Sequence, residues 1–228
     1  MTPTLKPLVA TLGLLALFSG NLHAQAATTA LTGWTVLGDV ASNGTTLSLT
    51  TAFLDGGASG DAPANLSGES AVGIDLLEAA AGVPVYGLDL SDTQAGTEGS
   101  LASQSFTVLA GQTLSVDWSF ATLETGMQSP VIEDRAFVVI DGVVTTLATY
   151  SAPGAGTQSF SRTFAQGGSV ALAFGVIDTD DYLAVSALTI GNLQLAPVTA
   201  VPEPVTSVLL LAGLGVIGTV ARRRHRSA

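Results

Sequence analysis

Leu114-Ser115-Val116-Asp117-Trp118-Ser119-Phe120 alternates without a break. Leu114, Val116, Trp118 and Phe120 fall on one side of an extended chain, and Ser115, Asp117 and Ser119 on the other, because successive side chains of a strand point to opposite faces. Such a strand is half-buried and needs an apolar surface facing it. The same texture recurs on both sides. Ser105 to Leu109 precedes it across Ala110-Gly111-Gln112, and Ala136 to Ile140 and Val143 to Tyr150 follow, joined by Asp141-Gly142. An Asp-Gly pair between apolar runs suits a type I′ hairpin turn. Gln158 to Phe164 and Ser169 to Ile177 flank Gln166-Gly167-Gly168, and Val185 to Leu195 closes the series.

Towards the N-terminus, Trp34 to Val40 and Thr46 to Phe53 read as the first two strands. Residues 55–71 and 87–102, rich in Gly, Ala, Ser and Asp, read as loops. Ile74 to Ala81 is the one stretch with helical character, and Gly82 is placed to stop it. About nine or ten strands with hairpin turns predict an all-β fold, an antiparallel β-sandwich of jelly-roll type with one short helix. Two sheets packed face to face hide the apolar sides of half-buried strands.

The charge is uneven. The 228 residues carry a net −11, but residues 27–201 hold 12 Asp and 5 Glu against Arg135 and Arg162, which leaves −15. A domain so acidic repels nucleic acid, and no nucleic-acid partner is expected. Cysteine is absent, so no disulfide holds the fold, and the two histidines, His23 and His225, lie in the terminal segments. Residues 27–201 therefore have neither Cys, His nor Lys. That removes Ser-His-Asp and Cys-His nucleophiles, lysine Schiff bases and conventional zinc sites, and leaves carboxylate chemistry and oxygen-ligated metals.

Both ends read as targeting segments. Lys6 begins a basic n-region, Leu8 to Phe18 is an apolar h-region, and Ala24-Gln25-Ala26 before Ala27 is a small-x-small cleavage site, so residues 1–26 are expected to be a signal peptide. At the other end, residues 197–204 form a linker that contains Val201-Pro202-Glu203-Pro204. Its two prolines hold the chain extended and accessible. Residues 205–221 carry no charge and, as a helix of about 25 Å, meet the lower limit for a transmembrane span. Residues 222–228 follow as a basic tail with Arg222, Arg223, Arg224 and Arg226, which the positive-inside rule keeps in the cytoplasm, leaving residues 27–196 outside as an ectodomain.

This tripartite ending resembles the PEP-CTERM sorting signal of Gram-negative bacteria. The resemblance implies recognition by an exosortase-type processing enzyme, cleavage near the motif, and export to the cell envelope or an extracellular matrix. The protein is then held in the inner membrane through residues 205–221 before processing. Phe174-Gly175-Val176-Ile177-Asp178, with Ser186, Leu188, Ile190 and Asn192, is similar to the closing strands of jelly-roll ectodomains in other PEP-CTERM proteins, some of them among the choice-of-anchor domains. Ser119 to Glu124 and Asp134 to Val138 share that similarity, which assigns no activity.

Three groups of residues are candidates for chemistry. Asp178, Asp180 and Asp181 crowd the segment after Ile177 and could ligate calcium, with Asp39 joining if the fold brings it near; the competing reading is that they only form a turn. Trp34 is a candidate carbohydrate contact, with Tyr150 and Tyr182 as further stacking residues, whereas Trp118 between Val116 and Phe120 belongs in the core. Glu124, Glu133 and Asp134 could supply the acid and base of a glycosidase if two of them face one another. The expected role is a non-enzymatic, structural or adhesive one in envelope or biofilm assembly. The alternatives are a module that binds exopolysaccharide and a carboxylate-based glycosidase.

Overall fold

The computed structural model describes residues 27–28, 31–54, 64–123, 133–180, 184–196, 213–217 and 222. In chain order the elements are β1 (Ala27–Thr28), β2 (Thr35–Leu37), β3 (Asp39–Ser42), β4 (Thr46–Thr50), β5 (Val72–Gly73), α1 (Ile74–Ala81), β6 (Gly96–Val108), β7 (Thr113–Thr122), β8 (Arg135–Ile140), β9 (Val143–Thr149), β10 (Gln158–Thr163), β11 (Gly168–Thr179) and β12 (Ser186–Ala196).

The strands divide between two six-stranded sheets. One runs β10-β7-β12-β4-β3 with β1 added on β12, the other β2-β6-β11-β8-β9 with β5 added on β6. Every pairing is antiparallel. Counted from β4 and leaving out β5, the last eight strands fall into the sheets as first-eighth-third-sixth and second-seventh-fourth-fifth. That is the wiring of a jelly roll, in which each crossing of the chain from sheet to sheet wraps the same core.

The alternation of Leu114 to Phe120 is realised as read: Leu114, Val116, Trp118 and Phe120 are all buried on the inner face. They meet Leu172, Phe174 and Val176 of β11 and Leu188 and Ile190 of β12 in one core. A second apolar layer lies on the outer face of the other sheet. There α1 sets Leu77 and Ala81 on Leu101, Phe137, Val139, Ala173 and Ile177. The helix occupies the residues expected of it and ends at Gly82 in the left-handed conformation, φ 69°, whose N–H closes back onto the last turn. Asp141 and Gly142 take φ 49° and 76°, both positive as a type I′ turn demands.

Three expectations need correction. Residues 96–102, read as part of a loop, belong to the 13-residue strand β6. Gly96, Gly99 and Ser100 look loop-like by composition, but a Cβ at Gly99 would collide with the Val176 carbonyl oxygen, so glycine lets β6 lie flush against β11. The stretch from Trp34 to Val40 is not one strand: Gly38, at φ 79°, turns the chain from β2 in one sheet to β3 in the other, where a Cβ would meet Ser100. The strand expected to end at Ile177 continues through Asp178 to Thr179.

Candidate functional site

The two ends of the sandwich differ in chemistry. At one end the first strand, β1, pairs with the last, β12. Ala27, the first residue after the expected signal cleavage, pairs with Leu195, and Thr28 pairs with Gln194 on the last strand. The pairing is antiparallel, so whatever precedes Ala27 and whatever follows Ala196 leave from the same end.

The opposite end holds buried polar side chains. Asp39, fully buried, accepts hydrogen bonds from the Leu66 N–H at 3.0 Å, from the Ser67 N–H at 2.7 Å and from Ser67 Oγ at 2.7 Å, as well as from Thr50 Oγ1. Its own N–H donates to Ser100 Oγ at 2.7 Å, and that hydroxyl donates to the Thr50 carbonyl at 2.6 Å. One carboxylate thus fastens the segment around Ser67 onto the sandwich, and the serine below it ties the two sheets. Asp134, also fully buried, accepts from Ser186 Oγ at 2.6 Å. Two further buried side chains converge on Leu88: Glu78 Oε1 accepts from the Leu88 N–H at 3.1 Å, and Arg135 donates to the Leu88 carbonyl. Burial lowers the Arg135 pKa to about 10, while the charge of Asp89 opposes that fall, so the side chain stays cationic at neutral pH. Burying such groups costs free energy that hydrogen bonds offset, and those of Asp39, Glu78 and Arg135 fasten the segments around Ser67 and Leu88, although Arg135 Nε itself is buried without a partner.

Of the three residues grouped for calcium, Asp178 and Asp180 are among the described residues. Asp178 is buried within β11, its Oδ1 accepting from the Thr179 N–H at 2.9 Å. Asp180 lies past the strand end at φ 64° and accepts from the Ala95 N–H at 2.9 Å. Asp181 is outside the described residues, and among those described no group of three His, Cys, Asp or Glu is arranged to hold a metal ion. Trp34 is not an exposed stacking surface. It is 8% exposed and its ring lies 5.8 Å from that of Phe174, because Gly33, at φ 76°, and the turn at Gly38 set the short strand between them over the core. Trp118 is buried as expected, and Tyr182 is outside the described residues.

Of the three carboxylates weighed for glycoside hydrolysis, Glu124 is outside the described residues. Glu133 is half-buried and accepts from the Ser151 N–H at 3.0 Å, while Asp134 is buried on Ser186. Burial pushes the Glu133 carboxyl up, but hydrogen bonds from Ser151 and Thr149 outweigh it and leave the group below the usual range. Sequence reasoning passed over Tyr86. It is 78% exposed, at φ 66°, on the Pro84–Gly87 turn closed by the Gly87 N–H to Pro84 carbonyl bond of 2.8 Å. A tyrosine in the left-handed region costs energy that glycine would not, which makes the displayed ring notable.

Of the sorting residues, Val201, Pro202, Glu203, Pro204, Arg223, Arg224 and Arg226 lie outside the described residues, as do Ala24 and Ala26 of the cleavage site. Residues 213–217 and Arg222 are helical and exposed. Among the described residues no helix is long and apolar enough to cross a membrane. Residues 27–196, as far as they are described, form an antiparallel β-sandwich with one short helix, and a C-terminal segment follows in the sequence. That segment is assigned by comparison with known families: residues 200–224 match the PEP-CTERM protein-sorting motif. The chain carries the sorting motif of a PEP-CTERM protein, which implies recognition by an exosortase, export and processing at the C-terminus. No curated protein matches the chain.

Proposed function

We propose that this protein is a non-enzymatic structural or adhesive component of the bacterial cell surface or biofilm matrix, delivered as a folded β-sandwich by its two targeting segments. In this reading residues 1–26 are a cleaved signal peptide, and residues 205–221 hold the protein in the inner membrane, with the sandwich outside, until an exosortase acts at Pro202-Glu203-Pro204. The observation that carries the reading is the pairing of Ala27 with Leu195, a few residues before the sorting motif begins at residue 200. In the chain both targeting segments adjoin strands that pair with each other at one end of the sandwich. Of the carboxyl groups buried at the opposite end, Asp39 and Glu78 accept hydrogen bonds that fix a loop and Asp134 accepts one from Ser186 at the start of β12, which supports a scaffold role over an acid–base pair.

The test is cohesion of the producing cells. Removing the protein should weaken attachment to a surface or cohesion in a biofilm. The full chain should restore it, and a chain ending at Ala200 should not. Unchanged attachment without the protein would rule the role out. Binding of exopolysaccharide is the second reading, favoured by the exposed ring of Tyr86 on a turn fastened through Leu88 by Glu78 and Arg135. Aromatic faces stack on the apolar faces of sugar rings, so Tyr86→Ala should abolish retention on an exopolysaccharide column if that reading holds.

A further inference from the structure

We infer that β9 is a self-association edge, pairing antiparallel with β9 of a second copy of this chain about a two-fold axis through Thr145. The inference takes its setting from the surface-assembly reading above and names the partner. Of the strands that end the two sheet paths, β2 has three residues, β3 has four with Asp39 among them, and β10 carries Arg162. Short length and charge are the usual means by which a sheet edge is kept from pairing with another chain. β9 has neither. Its seven residues, Val143-Val144-Thr145-Thr146-Leu147-Ala148-Thr149, include no charge, proline or glycine, and five are β-branched. Among the described residues no strand pairs with its outer edge, and only its last residue, Thr149, is bridged there, to Ala152.

The register determines which groups that edge offers. Ile140 and Val143 flank the two-residue turn and form a hydrogen-bonded pair, so the next pair, Val139 with Val144, is of the other kind. The N–H and C=O of Val144 therefore point away from β8, and those of Thr146, opposite Phe137, do the same. Beyond Thr146 the register shifts at a bulge, which ends the flat part of the edge.

An axis through Thr145 sets Val144 of one copy opposite Thr146 of the other, twice. Each such pair exchanges two hydrogen bonds, so every outward group of Val144 and Thr146 finds a partner. Thr145 then faces its own copy in the close, non-hydrogen-bonded position, a favourable Thr–Thr pair, and Val143 meets Leu147. An axis through Thr146 would instead oppose Val144 to Ala148, which is buried and lies beyond the bulge. The sequence of this edge is thus self-complementary, as a two-fold interface requires. The net −15 of residues 27–201 makes copies repel, and the uncharged strip is where they can approach; added salt, which screens that repulsion, should strengthen the association.

The absence of cysteine supplies a direct test. In the full-length protein expressed in its host, Thr145→Cys introduces a thiol at the axis. Cα atoms of a non-hydrogen-bonded pair lie about 4.5 Å apart, within the range a disulfide bridges. After mild oxidation a non-reducing gel should show a band of twice the chain's mass for Thr145→Cys, and only monomer for Ser161→Cys on the edge strand β10. In sedimentation of the full-length chain in detergent, Thr145→Lys, which sets two ammonium groups against each other at an exposed position, should convert dimer to monomer. Monomer from Thr145→Cys, equal dimer from both cysteine variants, a covalent adduct of any other mass, or a Thr145→Lys protein still dimeric would each overturn the pairing. Cells that keep their cohesion with the Thr145→Lys protein would remove the pairing from that role and leave the surface role itself standing.

Discussion

Gly175 is a position where one methyl group tests the packing of the second apolar layer. It pairs with Phe137 across β8 and β11, and a Cβ there would stand 2.8 and 2.9 Å from two edge carbons of that ring. Phe137 is fully buried beneath α1 with Leu77, Leu101 and Val139, so the ring has little room to move. Overpacking of this kind costs about 1–3 kcal/mol. For a domain of this size that corresponds to a fall of about 4–8 °C in Tm at the middle of the range. The assay is thermal and urea unfolding of a chain ending at Ala200, comparing wild type, Gly175→Ala, Phe137→Leu and the double variant. Phe137→Leu alone should cost about 1–2 kcal/mol through the space it leaves. In its background the alanine should cost less, with a coupling of about 0.5 kcal/mol or more. Strictly additive losses, or a Gly175→Ala protein as stable as wild type, would refute the packing of α1 over β8 and β11.

Other expected outcomes follow from the same structure. Asp39→Ala removes a buried acceptor from Thr50 and releases the Leu66 and Ser67 N–H groups, so it should lower stability by about 3–5 kcal/mol and speed proteolysis near Ser67; equal protease resistance would contradict the fastening role. The Asp117 carboxyl is held below its ordinary pKa by hydrogen bonds from Asn192 and Ser159. Its contribution is therefore present above the unfolded carboxylate pKa and lost as pH falls through the lower folded value, and Asp117→Asn should flatten that acid loss in urea midpoints measured from pH 5 to 2. Deleting Val205 to Ala228 should release the sandwich in soluble form, and retention in the membrane fraction would show that another segment anchors it. Changing Pro202, Glu203 and Pro204 together to Ala should leave the C-terminus uncut, which mass spectrometry of the purified protein reads directly.

What was legible in the sequence was what short-range periodicity and turn chemistry control. The alternation of Leu114 to Phe120, the helix from Ile74 to Ala81 with Gly82 behind it, and the Asp141-Gly142 turn all stand in the structure. The sorting segment was legible because its three parts come in a fixed order along the chain. The misreadings arose where a distant strand decides the matter. Gly96 and Gly99 read as loop because nothing local reveals that β11 lies against them. Composition alone puts Asp178 on a loop, whereas its burial depends on β6 and β8 on either side of β11. Trp34 reads as a candidate sugar contact because its inward turn depends on positive φ at Gly33 and Gly38. Nothing local marks Tyr86, because the two buried side chains that hold its turn, Glu78 and Arg135, lie 10 and 47 residues away from their common partner Leu88.

The central claim is that a folded β-sandwich is exported and then cut from its C-terminal segment by an exosortase. Its most direct test is the intact mass of the protein from the producing cells, with and without the exosortase. The expected product begins at Ala27 and ends near Pro202-Glu203-Pro204 when the enzyme is present, and extends to Ala228 when it is absent. A C-terminus at Ala228 in both strains, or an N-terminus still at Met1, would contradict it.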